Sequence, residues 1–201
     1  MEMSGEQLIP ASQQKVWDAL NDPEMLKACV PGCEAIEPAG DNAFQVFMVA
    51  RVGPVSAKFK GKLTLSDIHP PQSYSIAFEG QGGAAGFAKG GAQVRLSEKN
   101  SQTLLAYDVK ASVGGKLAQI GSRLVDAAAK KIAGDFFRNF NQKMSALRGE
   151  DSTVILPKGG EEDRPAREGD AQLPTLSNTK LAMFAAGALV IVLAALIALL
   201  R

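Results

Sequence analysis

The chain is poor in the side chains that bind metals and cross-link domains. Among its 201 residues are two cysteines and one histidine. That is too few for a four-ligand zinc site or a disulfide framework, and Cys29 and Cys33 have no partners at metal-binding spacing. An excess of charge is missing as well. The 22 Lys and Arg stand against 21 Asp and Glu, a formal net charge of +1, so no global basic field exists to hold nucleic acid. No apolar run follows Met1, because Glu2, Glu6 and Lys15 interrupt the early residues, and without such a run no secretory signal is expected. The length suits one domain of ordinary size with an appendage, not two full domains.

The appendage is the C-terminal quarter of the chain. From Leu181 to Leu200 the sequence LAMFAAGALVIVLAALIALL runs for 20 residues without a charge. As a helix it would span roughly 30 Å, the thickness of the hydrocarbon core of a bilayer. Residues 181–200 are therefore expected to be a single-pass anchor in the cytoplasmic membrane, with the globular part in the cytosol. Residues 149–180 are rich in Pro, Gly and charge and carry no sustained apolar period. They read as a disordered linker whose root-mean-square reach would be about 30 Å.

Residues 1–148 are expected to form the globular domain. Strict alternation places Phe44, Val46, Met48, Ala50 and Val52 on one face of a strand. After Gly53-Pro54 it does the same for Val55, Ala57, Phe59, Gly61, Leu63 and Leu65. Ser56, Lys58, Lys60, Lys62 and Thr64 occupy the opposite face of the second strand, so one side meets a core and the other meets water. Three more strands carry Tyr74, Ile76 and Phe78, then Ala92, Val94 and Leu96, then Leu105, Tyr107, Val109, Ala111 and Val113. Ahead of them lie two short helices. Ser12 is placed to cap the first, Asp22-Pro23-Glu24 opens the second, and Pro31-Gly32 stops it.

Beyond Gly114-Gly115 a long amphipathic helix is predicted to about Arg148, with Leu117, Ile120, Leu124, Ala128, Ile132, Phe136, Phe140 and Met144 as its apolar line. Steps of four residues make that line precess by roughly 40° each. A curve or kink is expected, with Gly134 its natural place. The first half of this helix would face the mouth of a cavity and the second half would pack on the sheet. The order of strand, two small helices, several antiparallel strands and one long C-terminal helix predicts an α+β helix-grip fold.

Three motifs then carry a resemblance: Asp22-Pro23-Glu24-x-Leu26 running into Cys29-Val30-Pro31-Gly32-Cys33, Val52-Gly53-Pro54-Val55-x-Ala57-x-Phe59-x-Gly61, and Val113-Gly114-Gly115-Lys116-Leu117-Ala118-Gln119-Ile120-Gly121. Over about residues 1–148 the chain resembles the CoxG family of carbon monoxide dehydrogenase proteins, within the START-like, polyketide-cyclase-like group (SRPBCC superfamily). The resemblance implies an accessory protein of a molybdenum-flavin dehydrogenase. Such a protein would attach the enzyme to the membrane and bind or deliver a quinone, menaquinone being one such isoprenoid acceptor, in an apolar cavity.

The residues offer their own support. The inward faces carry no Asp, Glu, Lys, Arg or His, and they mix large side chains with Ala57, Gly61, Ala92 and Ala111, whose small volumes can leave a void. The expected ligand contacts are Phe44, Val46, Met48, Phe59 and Leu63 on the first two strands of this series and Phe78, Val94, Tyr107 and Val109 on the others. Leu117, Ile120, Leu124, Ile132 and Phe136 complete the set on the helix. The same alternation also suits a filled interior, in which case the protein would be a membrane adaptor without a ligand. A START-like cyclase or hydrolase would need an acid or base inside. Only Tyr74 and Tyr107 could serve, and their ordinary pKa near 10 suits neither role. No enzyme activity, catalytic residue or metal is therefore expected.

The weaker motifs are read as structural. Gly80-Gln81-Gly82-Gly83-Ala84-Ala85-Gly86 lacks the Lys-Ser/Thr pair of a phosphate-binding loop and leads into a strand, so it forms strand bends or a rim. Cys29 and Cys33 are buried thiols. His69, before Pro70-Pro71, belongs to an exposed turn.

Overall fold

The computed structural model describes residues 1–52 and 55–150. The expected turn at Gly53-Pro54, the linker beyond Glu150 and the apolar run of 181–200 lie outside the described residues. Among those residues no helix is long and apolar enough to cross a membrane.

The alternating segments form strands where the sequence places them: β1 Glu2–Ile9, β2 Cys33–Pro38, β3 Ala43–Val52, β4 Val55–His69, β5 Ser73–Gln81, β6 Phe87–Lys99 and β7 Gln102–Gly114. They join into one antiparallel sheet in the order β1-β7-β6-β5-β4-β3-β2. Consecutive strands pair from β2 to β7, and β1 closes on β7 through Glu2↔Lys110 to Ile9↔Thr103. The period-2 pattern sets the faces. Phe44, Val46, Met48, Phe59, Leu63, Leu65, Tyr74, Ile76, Phe78, Val94, Leu105 and Val109 are buried on one side. Lys58, Lys60, Lys62 and Thr64 are exposed on the other. A slip of one residue would exchange the two sets, so burial itself holds the register.

Between β1 and β2 run α1 Gln13–Leu20 and α2 Pro23–Cys29. Ser12 caps α1, and Asp22 caps α2 by accepting a 2.9 Å hydrogen bond from the Glu24 amide, with Pro23 at the first helical position. Helix α1 buries Val16, Trp17, Ala19 and Leu20, and the Trp17 ring meets Tyr74 edge-on at 5.5 Å. The turn after α2 depends on Gly32, whose φ is +75°. A Cβ there would stand 2.2 Å from the Val49 carbonyl oxygen, so only glycine fits.

The C-terminal helical region differs from the expectation. A four-residue helix, α3 Lys116–Gln119, is followed by Gly121 at φ +91°, and only then by α4 Ser122–Glu150. The interruption falls at Gly121, and α4 runs unbroken through Gly134. That break resets the rotation of the helix. The buried line of α4 is Val125, Ala129, Ala133, Phe136, Phe137, Phe140 and Met144. Leu124 is 51 % exposed, and Ala128 and Ile132 are half-buried beside that line.

Helix α4 makes its main backbone approaches to α2, β1 and β3. Asn139 ties it to the end of α2 by donating to the Cys29 carbonyl at 3.0 Å. An antiparallel, curved sheet gripping a long C-terminal helix is the α+β arrangement that the element order predicts.

Candidate functional site

The inner face of the sheet changes character from one end to the other. At the end nearest α1, large side chains meet the second half of α4. Leu63, Tyr74, Val94, Leu105, Phe136 and Phe140 have 0–1 % of their surface accessible, so none of them borders a void that could admit water. Phe136 and Phe140 stack at 5.5 Å, and Phe137 stacks on Tyr107 at 5.7 Å. Thr103, buried here, donates to the Ala11 carbonyl at 2.8 Å. This end is filled by its own residues.

The other end is built from small residues. Pairing sets Gly61 opposite Gly80, Gly80 opposite Ala88, and Gly90 opposite Ala111. Four neighbouring strands therefore present glycine or alanine at adjoining inward positions, while the first half of α4 buries Val125, Ala129 and Ala133. The aromatic rings of this region lie against glycines. A Cβ on Gly82 would come within 2.2 Å of the Phe59 ring, and one on Gly90 within 2.6 Å of the Phe78 ring. Gly61 differs: a Cβ there would meet only the backbone oxygens of Glu79 and Val46, at 3.5 and 4.0 Å. Among the described residues no side chain covers it.

Two glycine turns frame this end. Between β5 and β6, Gly83–Ala85 form one turn of 3-10 helix, closed by Gly86 at φ +122°. It packs against α3, whose preceding residue Gly115 (φ +88°) would place a Cβ 2.5 Å from the Gly86 Cα. The glycine-rich run is thus the rim that the sequence suggested. Beside it a cleft of about 220 Å³ opens between Met1, Glu2, Val113, Ala118, Ser122, Val125 and Asp126, below the roughly 300–1,000 Å³ of typical small-molecule pockets. Other hollows lie elsewhere. One of about 570 Å³ is lined mainly by outward residues of the sheet, including Lys62, Glu79, Lys89 and Lys110, and one of about 630 Å³ runs between α1, α2 and the end of α4.

The predicted ligand contacts fall into three groups. Phe44, Val46, Met48, Phe59, Leu63, Phe78, Val94, Tyr107, Val109, Leu117 and Phe136 are buried in one continuous core. Register divides them between the two ends, with Leu63 and Val94 in the filled end and Phe59, Phe78 and Leu117 beside the small-residue end. Ile120 and Ile132 are half-buried at its edge. Leu124 is corrected: the break at Gly121 turns it outward, and Val125 takes the inward place. Sequence reading missed Gly80, Ala88, Gly90, Ala129 and Ala133. Their signal is their alignment across strands, which exists only once the register is known.

The chemistry of the interior is apolar. Burial raises the pKa of Tyr107 and pushes the Cys29 and Cys33 thiols from the usual 9.0 up to about 11. All three stay protonated at neutral pH, and both cysteines are free. His69 is exposed at the end of β4, with Nδ1 2.8 Å from the Asp67 carbonyl oxygen. Among the described residues no group of His, Cys, Asp and Glu could hold a metal ion. The Tyr107 hydroxyl lies against Gly5 of β1, within the filled end. The interior offers no paired acid and base.

Comparison with known proteins adds to this geometry. A protein from Geobacillus kaustophilus of known structure is 28 % identical, with a TM-score of 0.69 over 73 % of this chain and 96 % of its own. A Mycobacterium smegmatis protein (14 % identity, TM-score 0.56) covers 73 % of this chain and 92 % of its own. The aromatase/cyclase Zhui of a Streptomyces species (13 %, 0.56) covers 77 % and 99 %. These chains consist of little beyond the shared domain, which therefore folds as an independent unit. A search of the curated proteins finds no match. The sequence profile of the carbon monoxide dehydrogenase protein CoxG matches residues 5–145.

Proposed function

We propose, from the premise that the chain belongs to the CoxG family of carbon monoxide dehydrogenase proteins, that it is a non-enzymatic accessory protein that binds a hydrophobic electron acceptor and presents it to a molybdenum-flavin dehydrogenase. The acceptor is of the isoprenoid quinone class, and the apolar run of 181–200 keeps the protein at the cytoplasmic membrane. The observation that carries this reading is the run of glycine and alanine at adjoining inward positions of β4 to β7, where no side chain of the described residues lies within 4 Å of a Cβ built on Gly61.

An apolar guest seated there is held by burial, at roughly 25 cal/mol per Å² of apolar surface removed from water, against the cost of ordering a prenyl tail. A cleft of about 220 Å³ admits such a guest only if α3 and the first turns of α4 move outward. The positive-φ glycines at 115 and 121 on either side of α3 are suited to that motion.

Organic extraction of purified residues 1–150, followed by mass spectrometry, tests the reading. One isoprenoid quinone per protein molecule is the expected result, and a ligand-free fragment that takes up no added menaquinone refutes it. That negative outcome would favour a membrane adaptor, a reading supported by the filled end at Tyr74, Val94 and Phe136. Such an adaptor would act by raising the local concentration of its enzyme at the membrane.

A further inference from the structure

The end of the domain that carries the cleft also has the surface of a lipid-docking face. Leu124, in the first turn of α4, is 51 % exposed, and Phe87, at the start of β6, is 46 % exposed. Phe87 pairs with Gly114 and its ring lies against that glycine, one residue from Gly115 and the start of α3. The two apolar side chains therefore sit on the elements that frame the cleft. Around them are Arg51 near the end of β3, Lys89, Lys116 and Arg123, all exposed. Among the described residues none of these four makes an ion pair, and the acids of this end are four: Glu79, Asp126, Glu34 and Glu2, the last two already joined to Lys58 and Lys110.

The opposite end, with α1, the start of α2 and the turns near Asn42, Asp67 and Asn100, carries Asp18, Asp22, Glu24, Asp41, Asp67 and Glu98 against Lys15, Lys99 and Lys143. A domain with little net charge is thus polarised along its length.

We infer that this basic, apolar-tipped end docks on an anionic bilayer surface, cleft downward, with Leu124 and Phe87 entering the headgroup layer. The inference rests on the proposed binding of a membrane-soluble acceptor and assigns its route: the guest passes between bilayer and cleft without crossing water. Charge complementarity supports it, because basic residues at a surface are drawn to anionic lipid and exposed apolar side chains add insertion.

The length of the remaining chain also fits. Helix α4, 29 residues long, carries the chain about 40 Å away from this end. The 30 residues from 151 to 180 can extend to about 100 Å, enough for the apolar run to enter the same bilayer that the cleft faces. A short linker would hold the cleft away from the membrane.

The test is co-sedimentation of residues 1–150 with vesicles of phosphatidylcholine alone or mixed two to one with phosphatidylglycerol. Binding is expected only to the mixed vesicles, weakening as salt is added. The pair Lys116→Glu and Arg123→Glu should reduce it roughly tenfold or more. Leu124→Asp should reduce it as well, while Lys99→Glu with Lys143→Glu should leave it unchanged, with thermal unfolding verifying that each variant folds. Equal affinity for both vesicles, or dependence on Lys99 and Lys143 in place of Lys116 and Arg123, overturns the inference. So does capture of the dehydrogenase through Lys116 and Arg123 by a fragment without vesicle affinity, which would give this face to a protein. A fragment that retains quinone but ignores anionic vesicles refutes the docking alone; one that docks but takes up no quinone refutes the carrier reading alone.

Discussion

At the scale of single residues, what a glycine faces decides what it tolerates. Gly61→Ala places a methyl group in ordinary contact with two backbone oxygens. The domain should keep its urea midpoint, with a stability change within about 0.5 kcal/mol. Gly61→Leu should still fold but lose extracted quinone, because the larger side chain takes the guest's place. Gly90→Ala is the contrast, since its Cβ would stand 2.3 Å from the Lys110 carbonyl oxygen and 2.6 Å from the Phe78 ring. A loss of about 1–3 kcal/mol in urea denaturation is expected there. The thiols give a pH prediction. Burial raises both cysteines from 9.0 to about 11, so above pH 9 the unfolded chain releases these protons first. Their contribution to stability is complete below pH 9 and falls as the pH rises from 9 toward 11. Urea midpoints across this interval should fall more steeply for the native sequence than for the Cys29→Ala, Cys33→Ala pair.

Elements show how adjacent apolar residues divide their work. In α4 the pairs Leu124 and Val125, Ala128 and Ala129, and Ile132 and Ala133 are all apolar, so two neighbouring stripes could each have been the buried one. The break at Gly121 and the close approach of the helix select the stripe with the smaller side chains. Truncation distinguishes them. Phe136→Ala should cost about 3–5 kcal/mol in urea denaturation, as expected for a fully buried ring, whereas Leu124→Ala should stay within about 0.5 kcal/mol. At the start of α2, Asp22→Ala removes the acceptor for the Glu24 amide and should cost about 0.5–2 kcal/mol.

For the whole molecule, the separation of a filled end from a small-residue end implies that stability and ligand retention reside in different residues. Deleting residues 181–201 should release the protein from membranes and leave quinone retention intact. Fractionation followed by lipid extraction measures both, and a truncated protein that still sediments with membranes in high salt contradicts the anchor. Replacing the fully buried Ala129 with Trp should overpack the seam between helix and sheet and cost about 1–3 kcal/mol or more in urea denaturation.

The strand pattern was legible in the chain because alternation is a local property: each strand from β3 to β7 shows its buried face in its own residues. The two caps, the turn at Pro31-Gly32 and the apolar run near the C-terminus are equally local. The register is not, and with it comes the alignment of Gly61, Gly80, Ala88, Gly90 and Ala111, since a glycine's neighbours across a sheet belong to distant parts of the sequence. The phase of α4 is not local either, because two apolar stripes fit the same helix and only packing against the sheet chooses between them. Sequence by itself therefore determined which strand residues turn inward. Tertiary contact decided which of those meet a partner and which leave room, because a void is a property of two opposed surfaces and no single segment encodes both.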